Sequence, residues 1–210
     1  CVRKELGKSG RDDGFELAVT TCLAFAVDRI IDQLSSIVVW AATIEVVTHT
    51  FGRQALPMAW DFVEPQPFAG SGGDFRGAIE WVAKVCEAEG GIGCKTGVAV
   101  RTSAHQQTLP DNAAQALVTD PPYYYSVPYS DLSDYFYVWL KRMIGPGYPE
   151  LFATELTPKT DEAVQNLPHS EVAHLQKSRA FFEDMMRRSL SESRRVVSAD
   201  GIGVVVFAHT

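Results

Sequence analysis

Apolar residues recur at three- and four-residue spacing in the first quarter of the chain, with polar residues between them. The pattern predicts an amphipathic helix from Phe15 to about His49 that packs one stripe against a core. The β-branched residues from Ile37 to Val47 weaken the helical pattern in its later half. The stripe consists of Val19, Leu23, Ala26, Val27, Ile30, Leu34, Ile37 and Val38.

Prolines and glycines then interrupt the pattern from Gly52 to Asp74, which predicts a loop. A second helix is expected from about Phe75 to Glu89, because the pair Gly90-Gly91 is a typical end signal. The loop is expected to pack through the large side chains of Met58, Trp60 and Phe62.

The second half of the chain reads as strands that alternate with helices. The run "TGVAV" predicts a strand, and "AQALVT" predicts another that ends directly before Asp120. Ser130 and Asp131 are placed to cap a helix that runs to about Ile144.

Ser170 is likewise placed to cap a last helix that reaches about Val197. "SADG" predicts a turn. The run from Ile202 to Phe207 is continuously apolar, which is typical of a strand covered on both faces.

This alternation predicts an α/β fold with a parallel sheet, in which ligands bind beyond the carboxyl ends of the strands. We expect residues 1–210 to form one partial domain, with a mainly helical and loop segment at 15–110 and an α/β core at 111–210. The first residue is Cys1, and the last ten residues read as a strand. The chain is therefore expected to be a fragment whose partner is the remainder of the same polypeptide.

Composition narrows the class of protein. The chain is 46% hydrophobic and 21% charged, as globular proteins are, and its net charge of -7 argues against nucleic-acid binding through a general positive field. Any basic surface must be local. The basic residues of the second half are Lys141, Arg142, Lys177, Arg179, Arg187, Arg188, Arg194 and Arg195.

The longest uncharged apolar stretch near the start, Gln33 to Ile44, is too short to cross a membrane. We expect a soluble cytoplasmic protein with no membrane partner. The four cysteines form no CxxC pair, so reduced structural thiols are expected and a metal site is not. They are Cys1, Cys22, Cys86 and Cys94.

The segment Asp120-Pro121-Pro122-Tyr123 follows the predicted strand "AQALVT" and carries candidate chemistry. An exocyclic amine on a nucleobase is a poor nucleophile, because its lone pair is delocalised into the ring. Two hydrogen-bond acceptors on its N–H groups draw the nitrogen toward a tetrahedral geometry. The Asp120 carboxylate and the Pro121 carbonyl would supply them, since prolines remove N–H donors from the loop.

Aromatic residues follow the prolines. Tyr123 is placed to stack on a base that has been rotated out of its helix, an interaction worth about 1–3 kcal/mol per base. The next tyrosines, Tyr124, Tyr125 and Tyr129, either line the base pocket or pack.

The motif after an apolar strand resembles the catalytic segment of amino-group methyltransferases that use S-adenosylmethionine. The stretches "HTFGRQALPMAWDF", "TDPPYYYSVPYSDLSDYFYVWLKR", "LTPK" and "RRVVSADGIGVVVFAHT" are similar to a family of prokaryotic adenine-specific DNA methylases described as containing a Zn-ribbon. The resemblance implies a partial Rossmann-like class I methyltransferase sheet with flanking helices. It also implies methylation of adenine N6 in DNA, with catalysis by Asp120, Pro121, Pro122 and Tyr123. The Zn-ribbon is not visible in this sequence.

The same resemblance implies a glycine-rich turn that holds the methyl donor. "PFAGSGG", residues 67–73, is similar to the F-x-G-x-G form of that turn and would place Phe68, Gly70 and Gly72 at the cofactor. The preceding "MAWDFVEPQ" is not an apolar strand, and in the similar family the turn lies further upstream. Both placements remain open.

Other interpretations of the motif remain. It is also compatible with a rigid turn whose aromatics cover the core. "PPYY" matches the PPxY ligands of adaptor domains, which would require an exposed flexible segment. Within enzymes the acceptor is open among adenine, cytosine N4, an RNA base and a protein amide. In the related families, enzymes that act on cytosine N4 usually have Ser at the first position of the motif, so the resemblance implies that Asp120 favours adenine. His105 and His209 are expected to be ordinary polar residues.

Overall fold

The computed structural model describes residues 13–52, 56, 58–70, 73–90, 93, 100–124, 127–165 and 177–207. The chain divides into two compact units that interleave in sequence. Unit 1 comprises Cys1–Gly97 and Leu132–Thr157, and unit 2 comprises Val98–Asp131 and Pro158–Thr210. The arrangement as one partial domain with a division near residue 110 stays a prediction.

Two helices form the core of unit 1. Helix α1 spans Asp13–Ile31 and helix α2 spans Phe75–Gly90, which confirms the second predicted helix. Asp74 caps α2, because its carboxylate accepts the Gly77 N–H at 2.7 Å and its carbonyl accepts the Ala78 N–H at 3.0 Å. The core cluster consists of Ala26, Ile30 and Ala78, with Phe75, Ile79 and Val82 packed against it.

The prediction of one helix to His49 is wrong, because α1 ends at Ile31. The β-branched run instead forms an antiparallel pair, β1 (Trp40–Ala41) with β2 (Val46–Val47). Thr50 returns to the helix end, where its N–H and hydroxyl donate to the Asp32 carbonyl at 2.8 and 2.6 Å. This long-range contact satisfies a carbonyl that a continuing helix would have bonded locally.

The loop between β2 and α2 does not pack as expected. Met58 is 80% exposed, Trp60 is 88% exposed and Phe62 is 44% exposed, so none of the three is a buried anchor. The size and apolar character of these side chains were therefore not sufficient to predict burial.

Helix α3 spans Tyr129–Ile144, close to the predicted range, and is followed by a 3-10 turn at Gly145–Gly147. Within unit 1, the Tyr135 hydroxyl donates to the Ile31 carbonyl at 2.9 Å, and the Tyr135 ring packs edge-on against Phe51 at 5.8 Å. Tyr135 of α3 therefore forms a hydrogen bond that stabilises the end of α1.

Unit 2 contains a parallel pair of strands, β3 (Ala114–Thr119) and β4 (Val197–Val205), and helix α4 (Arg179–Val196) leads directly into β4. The strand at "AQALVT" is thus confirmed. Helix α4 is capped by Ser178, whose side chain accepts the Phe181 N–H. The predicted start of this helix after Ser170 is therefore wrong, because Lys177 and Ser178 are not helical. The predicted cap Ser170 lies outside the described residues, as do the last three residues and most of "TGVAV".

The predicted turn at "SADG" is wrong, because these residues form a bulge inside β4. Ala114 pairs with Val197 but Ala116 pairs with Ile202, so β4 carries extra residues between the two pairs. A side chain at Gly201 would lie 2.6 Å from Val197 Cγ1 and 3.0 Å from the Gln115 carbonyl oxygen, so the bulge requires glycine at this position.

Beyond the bulge, β4 is not covered on both faces as its apolar run predicted. Ile202 is 68% exposed and Phe207 42%, and Val118 on β3 is 74% exposed. The described part of the chain is therefore a mixed helix and strand structure with two two-stranded sheets, compatible with the α/β class. Among its helices, none combines the length and apolar character needed to cross a bilayer.

Candidate functional site

Asp120 follows the last residue of β3 and is exposed. The Val206 N–H donates to the Thr119 carbonyl at 2.8 Å, so the parallel ladder continues to the residue before Asp120. Because the strands run in parallel, both end at the same edge, and Asp120 lies at the carboxyl edge that the sequence predicted.

Tyr123 lies beside Asp120 and donates its hydroxyl to Asp120 Oδ1 at 2.9 Å. Its ring packs at 89° against Phe207, with 5.2 Å between ring centroids. Phe207 comes two residues after β4, so each of the paired strands contributes one aromatic ring to this edge. Pro121 and Pro122 between Asp120 and Tyr123 are half-buried.

Tyr124 is held by packing. Its ring lies 4.5 Å from Phe182, a core residue of α4, and its hydroxyl donates to Glu183 Oε1 at 3.0 Å. Its carbonyl accepts the Gln165 N–H at 3.0 Å. A PPxY ligand needs this tyrosine to be available to a partner, so these contacts favour the packing role for Tyr124 over both the ligand and the base-pocket interpretations.

Of the other two tyrosines, Tyr125 and Tyr129, the structure describes only Tyr129. Tyr125 lies outside the described residues. Tyr129 is the first residue of α3 and is 56% exposed. Its place in a base pocket stays a prediction.

A polar network within unit 2 supports the segment that follows the motif. Glu162 accepts the Ser130 N–H at 2.9 Å and the Ser130 hydroxyl at 2.6 Å, so Ser130 is bound by a distant carboxylate. The buried Lys177 ammonium donates to the carbonyls of Glu162 and Lys159. Burial lowers the pKa of Lys177, partly offset by the charges of Glu162, Asp161 and Asp131. Sequence reasoning missed Glu162, which is 32 residues from its partner.

Arg195 fixes the approach to β3. Its guanidinium binds Asp111 at 2.5 Å, Glu192 at 2.6 Å and the Leu109 carbonyl at 3.0 Å. Hydrogen bonds to Glu192 and then to Asp111 raise the pKa of Arg195. This guanidinium is therefore saturated by the protein itself.

Other basic residues of α4 are also engaged internally. Arg179 pairs with Glu183 at 2.9 Å, Arg187 pairs with Asp184 at 2.6 Å, and Arg194 donates to the Val197 carbonyl. These contacts partly neutralise the positive charge of α4, in a chain whose net charge is already -7. His105, half-buried, bonds Ser103 at 2.6 Å as an ordinary polar residue would, and His209 lies outside the described residues.

The glycine-rich segment belongs to unit 1 and precedes α2. Phe68 is 77% exposed. Gly70 has a φ of +74°, and a Cβ at this position would have no atom within 4 Å. Both line a cleft of about 500 Å³ with Asp74, Phe75 and Arg76. No strand precedes them within the described residues 56 and 58–70, and Gly72 lies outside the description.

A second cleft in unit 1, of about 580 Å³, was not predicted from the sequence. Asp28 and Asp32 of the α1 region line it together with His49 and Trp81. His49 Nδ1 lies 2.5 Å from Asp32 Oδ2, whereas the buried Asp28 Oδ1 has no hydrogen-bond partner among the described residues. Burial, and then the Asp32 charge, raise the pKa of Asp28 to about 6. The His49–Asp32 pair had no sequence signal, since the residues are 17 positions apart.

The described residues hold no group of three or more His, Cys, Asp or Glu side chains placed to bind a metal ion. Comparison of the chain with protein-family models, with curated proteins and with solved structures finds no match to any of them. The function is therefore inferred from the site itself.

Proposed function

We propose that this chain carries the catalytic segment of a methyltransferase that acts on the exocyclic N6 amine of adenine in DNA. The single observation that carries the proposal is the exposed Asp120 carboxylate at the carboxyl edge of the parallel β3–β4 pair, directly beside an aromatic ring. Ligands of parallel sheets bind at this edge. The Rossmann-like class I sheet that the resemblance implies is part of the proposal.

In this proposal Asp120 and the Pro121 carbonyl accept the two N–H groups of the adenine amine. Each carboxylate oxygen has two lone pairs, so accepting from the Tyr123 hydroxyl leaves capacity for the amine. As the nitrogen attacks it becomes positively charged, and the nearby carboxylate stabilises that charge. Pro122 restricts the backbone that follows the carbonyl.

Tyr123 would stack on the flipped base. Phe207 fixes the orientation of its ring at 89°, which lowers the entropy lost when the base binds. Most of the remaining rate enhancement comes from alignment of the amine with the donor, without a covalent enzyme intermediate.

S-adenosylmethionine, when bound, supplies an electrophilic methyl group. The residues assigned to it are Phe68, Gly70 and Gly72. The open space above Gly70 and the exposed Phe68 ring fit a ligand that approaches the backbone, although no strand precedes them within the described residues 56 and 58–70, which departs from the usual context.

The test is methyl transfer by the full-length protein to adenine-containing DNA, with nucleosides separated after digestion. We expect Asp120→Ala to abolish formation of N6-methyladenine while the melting temperature stays within about 2 °C, because Asp120 is exposed. Asp184→Ala, an exposed carboxylate on α4, is the matched control and should retain activity.

Transfer that survives Asp120→Ala contradicts the proposal. Product found as N4-methylcytosine, or methylation of RNA or protein amide but not DNA, would replace adenine with that acceptor. Absence of any methylated product from the unmodified protein with each of these acceptors would also overturn it.

A further inference from the structure

The cysteines of the two core helices of unit 1 face each other. Cys22 on α1 and Cys86 on α2 are free thiols whose sulfur atoms lie 3.9 Å apart, although 64 residues separate them in sequence. Cys22 is half-buried and Cys86 is exposed. The sequence predicts two separate structural thiols, because they form no CxxC pair.

The packing of α1 on α2 explains the juxtaposition. The two helices approach each other at two places. Ile30 and Ala78 belong to the same core cluster, and Cys22 lies beside Cys86. Counting from Cys22 to Ile30 and from Ala78 to Cys86 gives eight residues in each helix, about 12 Å of axial rise. The two contacts are therefore in register along an antiparallel helix pair, so the core itself holds the thiols together.

We propose that Cys22 and Cys86 are a reversible redox modification site that closes to an intrachain disulfide on reaction with a small-molecule disulfide. For the bond to form, the sulfur atoms must approach from 3.9 Å to about 2.05 Å. This inference does not depend on the proposed methyltransferase function.

The order of steps follows from exposure. Cys86 is accessible, so its thiolate attacks the small disulfide first, giving a mixed disulfide and releasing one thiolate. Cys22 then attacks the Cys86 sulfur, forming the protein disulfide and releasing the second thiolate. Burial, then the hydrogen bond and charge of Cys86, raise the pKa of Cys22, which disfavours Cys22 as the first nucleophile.

The balance is one small disulfide consumed and two small thiols formed. The two protons come from Cys22 and Cys86, and two electrons pass from the protein thiols to the reagent. The disulfide would tie together the two helices that line the cleft containing Asp28 and Trp81.

The experiment uses the 210-residue chain with Cys1→Ser and Cys94→Ser, so that only Cys22 and Cys86 of its four cysteines remain. After incubation with oxidised glutathione, we expect the mass of the protein to fall by that of two hydrogen atoms. Titration under denaturing conditions should then detect neither thiol. Peptide mapping should give one cross-linked peptide pair. The melting temperature should rise by about 5–10 °C and return on reduction.

Two matched controls remove one partner each. With Cys22→Ser added, Cys86 should accumulate a glutathione adduct; with Cys86→Ser added, Cys22 should react more slowly. If the two-thiol protein gains two glutathione adducts or forms disulfide-linked dimers instead of the internal bridge, the proposal is wrong. The melting comparison is made on one protein in two redox states, so it does not depend on how well either control folds.

Discussion

Asp120 and Asp28 are both carboxylates with a polar or aromatic neighbourhood, yet their environments are opposite. Asp120 is exposed at the end of a strand and accepts a tyrosine hydroxyl, whereas Asp28 projects from a helix and has a buried oxygen with no partner among the described residues. Burial raises the pKa of Asp28 to about 6. A carboxylate in water is a ready acceptor, while one held away from water is a source of pH dependence.

Asp120 and Asp28 are also held in place by different kinds of contact. The β3–β4 ladder carries Asp120 to the edge of a sheet, so its position follows from strand pairing. Asp28 is placed by the packing of α1 on α2 and by the return of the chain to Asp32 through His49 and Thr50. The motif marked the first site in the sequence, and the second is visible only in three dimensions.

The largest expected effect is on catalysis. Asp120→Asn keeps the shape of the side chain but removes its charge and replaces one acceptor oxygen with a donor, so we expect methyl transfer to fall by about 10²–10³-fold. Asp28→Asn, at a carboxylate outside the proposed site, should change the rate less than about twofold. Equal losses in the two variants would erase the functional distinction between them.

The next effect tests strand pairing as the support of Asp120. Gly201→Ala places a methyl group against Val197 and the Gln115 carbonyl, so we expect a loss of about 1–3 kcal/mol in the free energy of unfolding of unit 2. Gly203→Ala is the matched control on the same strand, because a Cβ there meets no atom within 4 Å. Urea unfolding, followed by far-ultraviolet circular dichroism, measures the stability of both variants. Indistinguishable unfolding midpoints for Gly201→Ala and Gly203→Ala would argue against the bulge geometry.

A smaller effect tests the half-buried carboxylate of Asp28. Since the pKa of Asp28 is raised in the native state, the native protein binds more protons than the unfolded chain between pH of about 4 and about 6. Its contribution to stability is therefore present at low pH and is lost as pH rises through about 6. After allowance for solvent screening, we expect a loss of about 1–2 kcal/mol.

Asp28→Asn should abolish that part of the pH dependence, measured as the change in unfolding free energy between pH of about 4 and about 8. Asp61→Asn, at an exposed position in the same unit, should leave the change as in the unmodified protein. An identical pH profile for Asp28→Asn would show that Asp28 is solvated.

The smallest effect concerns the link between Tyr123 and Asp120. Tyr123→Phe keeps the ring against Phe207 and removes the hydroxyl donor, so we expect a stability change of at most about 1 kcal/mol and a change in transfer rate below about tenfold. Tyr123→Ala removes the stacking surface as well and should cost more of the rate. Rates that fall equally in the two variants would assign the role to the hydroxyl rather than to stacking.

Much of the secondary structure was predictable where a local signal was strong. The α2 helix has a regular apolar period and a glycine end, and the structure places it at Phe75–Gly90. The β3 strand and the α3 helix were also predicted with small boundary differences. In these segments periodicity and end signals agree with the packing that the structure adopts.

The errors arose where a distant contact decided the outcome. Helix α1 stops at Ile31 because Thr50 binds the Asp32 carbonyl and the β-branched run pairs as β1 and β2. The bulge in β4 depends on its register with β3, and a turn motif cannot report that register. Likewise, Ser130 is bound by Glu162 from 32 residues away.

The sequence by itself determined the order of the main helices and strands and put an Asp-Pro-Pro-Tyr segment at the end of a strand, because hydrophobic period, proline and glycine act over a few residues. Only the tertiary structure decided that Tyr123 binds Asp120 while Tyr124 packs on Phe182, that one carboxylate oxygen of Asp28 is buried, and that Cys22 meets Cys86. The physical reason is that hydrogen bonding, desolvation and sulfur proximity depend on distances between side chains from different elements, and those distances are set by packing.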